Sequence, residues 1–338
     1  MSRSRQDPHK ARLRRDRIRR EKHAADGGRA AEAGPPPLPA APNLPRFASE
    51  RSLRELHALL EGQEFTSAKE VNARLAELTR GGGLSEKAAA WKRDDPKWRA
   101  QELAYDALET NDFEDALRLV NDALKLDPDC TDAQRLMVSL LPMSLENRIH
   151  LMKEVVEKAE RNFGEEFFRE NAGHFWGIVE TRPYMRAKLH LAELLVEAGR
   201  LEEGAAVYAR ILELCPGDNL GVRYQLPALY LALRQTERAS EFLSRSSDEE
   251  EYSAALAWAR ILERWQAGKL DEAEVALKTA RKVNPFLEDY LCGAKKPPEQ
   301  PPEYFTPGDE SEAQAYAGPL SLAVQHNPGF REWLQQRK

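Results

Sequence analysis

The sequence has few cysteines and no long apolar stretch, and each shortage argues against a class of protein. Its three cysteines, Cys130, Cys215 and Cys292, lie far apart in the sequence and form no CxxC pair. A thiol redox site, a zinc knuckle and a disulfide framework are therefore unsupported. No apolar run approaches the roughly 18 residues that cross a bilayer. The charged amino-terminal segment has no apolar core typical of a secretory signal, so we expect a cytoplasmic protein.

Catalytic motifs are equally scarce. The chain has no HExxH helix, no GxSxG elbow and no glycine loop that would cradle a phosphate, so we expect no enzyme, cofactor or metal. The one suggestive group is His174 with Glu170 and Glu180, which could serve a metal-assisted hydrolase at residues 170–186. The favoured alternative gives His174 a structural role, as a polar contact that holds the surrounding segment against the rest of the protein.

Charge is plentiful but unevenly spread. Of the 338 residues 31% are charged, and the net charge is −6. Residues 1–22 hold ten Lys or Arg against three acidic residues, a local charge of +7 that leaves −13 for the rest. Residues 34–42 contain five prolines, which are incompatible with a helix. We therefore predict that residues 1–46 form a disordered, basic and proline-rich tail.

The basic tail has two possible roles. Arginines among residues 3–22 could neutralise phosphates and give salt-sensitive attachment to RNA, ribosomes or DNA. No aromatic residue lies among them to stack on bases, so a solvated tail that aids solubility is the alternative.

Residues 47–95 follow as a predicted helical extension of three pieces. Ser67 and Glu70 have the spacing of a capping box, and Val71, Leu75 and Leu78 share one helical face. The glycines at 81–83 would end that helix.

An internal repeat dominates the remainder. Three helical segments end at Pro128, Pro216 and Pro285, and the last two prolines are separated by close to two repeat units. When aligned, the segments share small residues at two positions, a Gly or Asn turn between them, and a large apolar residue. These marks resemble the tetratricopeptide repeat, which implies an all-α, right-handed superhelical solenoid over residues 96–292. The marks are Ala104, Ala192, Asn111, Gly199, Gly268, Ala116, Gly204, Ala273, Leu119, Tyr208 and Leu277.

An aromatic insertion over residues 165–188 interrupts the array. It contains NAGHFWGIVETRPYMRAK, and two further blocks, CPGDNLGVRY at 215–224 and PGDESEAQAYA at 307–317, lie at a specific spacing from it. Residues 170–335 thereby resemble bacterial tetratricopeptide proteins related to the suppression-of-tumorigenicity-seven family. The resemblance implies a binding scaffold, although eukaryotic members look membrane-associated and nothing in this sequence could span a bilayer.

The first helix of each repeat is expected to line a concave groove, and aromatic residues and arginines recur at its groove-facing positions. A guanidinium can fork onto a carboxylate while rings bury apolar side chains, a combination that suits peptide recognition. Arg186 and Arg223 could clamp a terminal carboxylate, but the usual Asn and Lys partners are missing. The predicted partner-binding residues are Trp98, Tyr105, His174, Arg182, Arg186, Glu193, Arg223, Tyr224, Trp258 and Trp265.

Several of these residues have simpler alternatives. Trp258 and Trp265 could pack against the next helix, and Arg182 could cap a helix or pair with Glu180. Residues 293–338 are predicted as a loop and two helices that cap the array. The function favoured by the sequence is a non-catalytic scaffold that binds a peptide or protein in the groove.

Overall fold

The computed structural model describes residues 47–60, 63, 66–80, 94–302 and 304–338. The predicted tail at 1–46 and the glycines at 81–83 lie outside the described residues. Those described form sixteen α-helices and no β-strand. The helices are α1 (Ala48–Leu60), α2 (Ala68–Arg80), α3 (Pro96–Glu109), α4 (Phe113–Leu126), α5 (Thr131–Leu140), α6 (Leu145–Phe163), α7 (Glu165–Asn171), α8 (Arg182–Glu197), α9 (Leu201–Leu214), α10 (Leu226–Ala232), α11 (Thr236–Arg245), α12 (Ala254–Gln266), α13 (Leu270–Val283), α14 (Leu287–Leu291), α15 (Glu310–Gln325) and α16 (Pro328–Gln335).

Five helix pairs build the array: α3 with α4, α5 with α6, α8 with α9, α10 with α11, and α12 with α13. Each helix packs on its pair-mate, and successive pairs pack on one another. This is the all-α tetratricopeptide-type solenoid that the repeat marks predict. Among the described helices, none combines the length and the apolar character that a membrane span requires.

Capping residues set where several helices begin. The Asp95 side chain accepts the Lys97 amide at 2.9 Å, and Pro96 occupies the first turn of α3, where its missing N–H costs nothing. Asp309 caps α15 in the same way. At α2, Ser67 accepts the Glu70 amide at 3.3 Å, while the Glu70 carboxylate accepts the Thr66 amide at 2.8 Å. The predicted capping box is therefore present, with its return bond shifted by one residue.

Small residues allow the two helices of a pair to approach closely. Ala104, Ala192 and Ala273 are fully buried. A Cβ at Gly204 would lie 2.8 Å from Val196 Cγ2, closer than packed side chains tolerate, so the crossing of α8 and α9 requires glycine.

The turns between helices repeat one geometry. Gly199 and Gly268 have φ of 72° and 73°, and the residue after each donates its amide back to the helix. In the degenerate pair α10–α11, Arg234 occupies the equivalent position with φ of 57°. All three turns are therefore Schellman motifs. Asn111 differs from its prediction, because the α3–α4 turn is extended at Thr110 and Asp112 and has no positive φ.

Two apolar cores meet at α5. A small core joins α3, α4 and α5, and Leu136 belongs to it. A large core runs from Val138, two residues later, to Leu334 near the carboxyl end. The groove side of α5 carries charged residues instead, among them Asp132 and Arg135.

The insertion packs as an aromatic cluster beside α8. Rings of Phe163, Phe168, Phe175 and Tyr184 lie with centroids 5.0–6.5 Å apart. The structure assigns the last seven residues of the predicted insertion, from Arg182, to α8. Two short 3₁₀ turns at 175–177 and 179–181 precede that helix.

The turn at Arg234 generates a stability prediction. A left-handed conformation costs a non-glycine residue about 1–2 kcal/mol, and the Arg234 side chain is exposed. Arg234→Gly should raise the free energy of unfolding by about 0.5–1 kcal/mol, since glycine's greater unfolded-state entropy offsets part of the relief. Urea denaturation measures this, with Gln235→Gly as the control. Gln235 has φ of −86°, so that change should destabilise; equal effects at both positions would contradict the assignment.

Candidate functional site

Helix α1 lies against the first helices of the first and third pairs, in the amino-terminal part of the predicted groove. Its side chains contact α3 and α8, and the helix packs on the 3₁₀ turn at 179–181. The helices that meet around it belong to different repeats, so α1 occupies the surface that the sequence assigns to a partner.

A buried ion-pair network holds α1 in place. Arg186 grips the Glu50 carboxylate with both terminal nitrogens, Nη1 to Oε2 at 3.0 Å and Nη2 to Oε1 at 2.9 Å. The same guanidinium donates to Asp132 from Nε at 3.0 Å and from Nη2 at 2.5 Å. Tyr105 donates to Glu50 at 2.6 Å, and Gln101 donates to Asp132 at 2.8 Å. Asp132 has no exposed surface and Glu50 has 5%, so every charge in this network depends on its partners.

Aromatic rings extend the contact around the network. Phe47 stacks on Tyr105 with centroids 5.0 Å apart, and the Arg186 guanidinium lies 5.3 Å from the Phe47 ring. Arg54 lies over Trp98 at 4.2 Å. Three residues of the predicted groove thus lie around α1: Trp98, Tyr105 and Arg186. A helix of the same chain covers all three.

Ion pairs at the edge orient α1. Arg51 pairs with Glu102, with Asp106 at 2.8 Å and with Glu109 at 3.3 Å. At the other end, His57 Nδ1 lies 2.5 Å from Glu180 Oε1 in the insertion. These partly exposed pairs are individually weak, but together they fix the direction of the helix.

The pKa values follow from this geometry. Burial alone would raise the pKa of Asp132, but the charge and hydrogen bonds of Arg186, aided by Arg135 and Gln101, hold it at about 2. Burial opposes the charge on Arg186, and the two carboxylates outweigh it and raise its pKa. Burial also raises the pKa of Tyr105, which keeps the phenol neutral as a donor to Glu50.

A cavity of about 500 Å³ lies beside α1. Arg54 and His57 line it from α1, Trp98 from α3, and Val179 and Glu180 from the insertion. The insertion therefore forms one wall of the α1 contact, which gives this segment a place in the site that the repeat pattern alone does not explain.

Arg182 and His174 differ from their predicted settings. Arg182 donates from Nε to the Trp176 carbonyl at 3.0 Å and lies 3.6 Å from Glu50, rather than pairing with Glu180. His174 is exposed, and its side chain makes no hydrogen bond within the described residues, so it does not hold the insertion by a polar contact. No three His, Cys, Asp or Glu side chains converge as a metal site in the described part of the chain.

Arg223 and Tyr224 lie in a short 3₁₀ turn at 222–224, where local partners engage both side chains. Arg223 donates to Glu249 at 2.8 Å and to the Pro216 carbonyl at 2.6 Å. The Tyr224 hydroxyl reaches Glu249 at 3.4 Å. Their geometry therefore does not provide a carboxylate clamp with Arg186.

The two predicted tryptophans of α12 pack internally. Trp258 is 1% exposed and donates to the Asn284 carbonyl at 3.0 Å, so it belongs to the core and not to a partner surface. Trp265 packs edge-on against Phe330 of α16 at 5.6 Å. Helix α15 lies on α10 and α12, the first helices of the last two pairs. The carboxyl-terminal part of the groove is thus also covered by the chain itself.

Glu193 is the predicted residue that keeps an exposed position in the middle of the groove. Protein around its carboxylate raises its pKa, and Arg135 opposes that rise. Its neighbourhood is the part of the groove between α1 and α15.

Sequence reasoning missed Glu50 and Asp132. Asp132 has the position of an ordinary acidic residue in a first helical turn, and Glu50 has the same position in α1. No local signal distinguishes either from a solvated cap, because their shared partner Arg186 lies 136 and 54 residues away.

The helix pairs define a helical-repeat protein in which first helices of two pairs bind a helix of the same chain. A family model described as tetratricopeptide repeat matches residues 102–137 and 156–219, which span most of the pairs from α3 to α9. The chain therefore carries tetratricopeptide repeats. No curated protein matches the chain.

The ion-pair network generates a prediction on stability and pH. Arg186→Ala leaves Glu50 and Asp132 buried without their main partner, and should lower the free energy of unfolding by about 3–5 kcal/mol. Because the folded-state pKa of Asp132 is depressed, its contribution is present above about pH 4 and is lost as the pH falls towards 2. Without Arg186, burial raises that pKa, so acid unfolding should begin at a higher pH.

Circular dichroism during urea and acid titrations measures both effects. Arg169→Ala is the control, because Arg169 is 74% exposed and, among the described residues, pairs with Glu166 alone, at 3.1 Å. It should change the stability by no more than about 0.5 kcal/mol. Coincident acid transitions for wild type and Arg186→Ala would show that the network is not buried as described.

Proposed function

We propose that this protein is a non-catalytic interaction scaffold whose concave groove binds a helical segment of a partner protein. Tetratricopeptide repeats generally mediate contacts between proteins, and the fold supports that role. The observation that carries the proposal is the seating of α1, since the groove already binds a helix through a carboxylate on Arg186 and a ring on Tyr105.

The pattern of α1 describes the kind of ligand that this groove accepts. An aromatic residue and a carboxylate three positions later, Phe47 and Glu50, lie on the face that enters the groove. A cation one turn further on, Arg54, stacks on Trp98. A partner helix with this pattern would compete with α1 for the same contacts.

The other predicted functions gain no structural support. Attachment to RNA or ribosomes depends on residues 3–22, outside the described residues. A metal-assisted hydrolase would need His174, Glu170 and Glu180 to converge, whereas Glu180 is paired with His57. The resemblance of residues 170–335 to the suppression-of-tumorigenicity-seven family, and the cytoplasmic location, stay predictions that agree with a scaffold.

A peptide in trans tests the proposal. A fluorescent peptide of residues 46–60 should bind the Phe47→Ala/Glu50→Ala protein at least about tenfold more tightly than wild type, measured by anisotropy. In wild type the tethered α1 competes at a high effective concentration, whereas the double variant loosens it and keeps Arg186 and Tyr105.

The matched control peptide carries alanine in place of Glu50. It should bind about tenfold more weakly or worse, because Arg186 and Tyr105 would then lose the carboxylate that accepts their hydrogen bonds. If the unmodified peptide fails to bind a double variant that circular dichroism shows to be folded, the groove is not a helix-binding surface.

A further inference from the structure

Next to the Glu50 contact lies a group of three basic side chains that we call the basic cluster: Arg135, Arg148 and His190. Arg135 is three residues after Asp132 on α5, and His190 is four residues after Arg186 on α8. Arg148 lies in the first turn of α6. Because α5, α6 and α8 all pack on one another, the cluster forms the next layer along the groove from the Glu50 contact.

One nitrogen of each side chain in the basic cluster lacks a hydrogen-bond partner. Arg135 Nε, Arg148 Nε and His190 Nδ1 are each buried without a hydrogen-bond partner. The nearest carboxylate to Arg135 is Asp132 at 3.6 Å, and Arg186 already bonds both of its oxygens. Within the described residues Arg148 has no ion pair. Unsatisfied buried donors cost about 1–3 kcal/mol each, so stability of the free protein does not explain this arrangement.

The electrostatics agree with a missing anion. Burial and the charges of Arg135 and Arg148 lower the pKa of His190 to about 4, so the ring is neutral at pH 7 within a positive field. Burial lowers the pKa of Arg135 as well, and Asp132 offsets this in part. Glu193 is the nearby acidic residue on α8, and it forms no ion pair in the described chain.

The Arg186 network and the basic cluster differ in one respect, which is a carboxylate supplied from outside the repeat pairs. At Arg186, the carboxylate of the groove's occupant, Glu50, completes the network. At the basic cluster none of the described residues supplies such a carboxylate, and α1 itself begins at Ala48. The preceding residues 1–46 contain twelve Lys or Arg and five acidic residues, so they are a poor source of a carboxylate.

We propose that the basic cluster docks an acidic segment of a partner protein, with a glutamate or aspartate carboxylate bound by Arg135, Arg148 and His190. This inference rests on the proposed function and adds the chemistry of the partner. A carboxylate fits better than a phosphate, because a single negative charge tolerates the neighbouring Glu193 better than two. Arginine forks suit the planar carboxylate, as Arg186 and Glu50 illustrate.

The test uses the full chain and an acetylated, amidated tetraglutamate peptide, with tetraglutamine as the control ligand. Calorimetry should show binding of tetraglutamate alone, weakened at least about tenfold by Arg148→Gln. Arg161→Gln is the matched control on the same helix, exposed and 3.9 Å from Glu157, and should bind as wild type does. Glu193→Gln should tighten binding about threefold or more by removing repulsion.

Two further readouts separate binding from a structural role. Proton NMR should show the pKa of His190 rising by about one unit when tetraglutamate binds, because a carboxylate then offsets the arginines. The signal is assigned with His190→Gln. Arg148→Leu should raise the melting temperature of the free protein by about 2–4 °C, since it removes a buried guanidinium nitrogen that has no hydrogen-bond partner.

Equal affinity of wild type and Arg148→Gln, or an unchanged His190 titration, would overturn the proposal. Inorganic phosphate binding as tightly as tetraglutamate would overturn the assignment to an acidic segment. If tetraglutamate fails while the peptide of residues 46–60 still binds the opened groove, the basic cluster is not a docking site and the scaffold function stands.

Discussion

The contact between Glu50 and Arg186 joins α1 to the repeat array through two largely buried side chains of opposite charge. Arg186 lies on the first helix of the third pair, Asp132 on that of the second, and Tyr105 on that of the first. Their side chains converge where the small and large apolar cores adjoin at α5. A carboxylate from α1 completes the group, so that one helix outside the array joins buried polar side chains from three repeats.

The insertion and the carboxyl-terminal helices both pack against the first helices of the repeat pairs or against the space beside α1. Val179 and Glu180 wall the space beside α1, and the aromatic cluster fixes that wall to α8. Helix α15 covers the first helices of the last two pairs. The groove is thus occupied by the chain at both ends, and its middle presents Arg148, His190 and Glu193. Residues that look equivalent in every repeat therefore have different accessibility.

Much of the fold could be predicted from the sequence because it depends on local signals. Each local signal follows from a steric requirement of the repeat. The signals are prolines after second helices, glycine at Gly199 and Gly268, and small residues such as Gly204. The site is harder to predict. The repeat alignment correctly places Trp258 on the first helix of a pair. The same alignment cannot predict that α15 packs over that helix. Glu50 and Asp132 are buried through partners distant in sequence, and a solvated acidic residue has the same local pattern.

Amide hydrogen exchange across α1 tests the central claim most directly. A free helix as short as α1 is marginal in water, so its amides are protected only if the helix is docked. With Glu50 on Arg186, the amides from Arg54 to Leu59 should exchange at least about a hundredfold more slowly than in an unstructured chain. Exchange of these amides at unprotected rates in the wild-type protein, while α8 stays protected, would contradict the account.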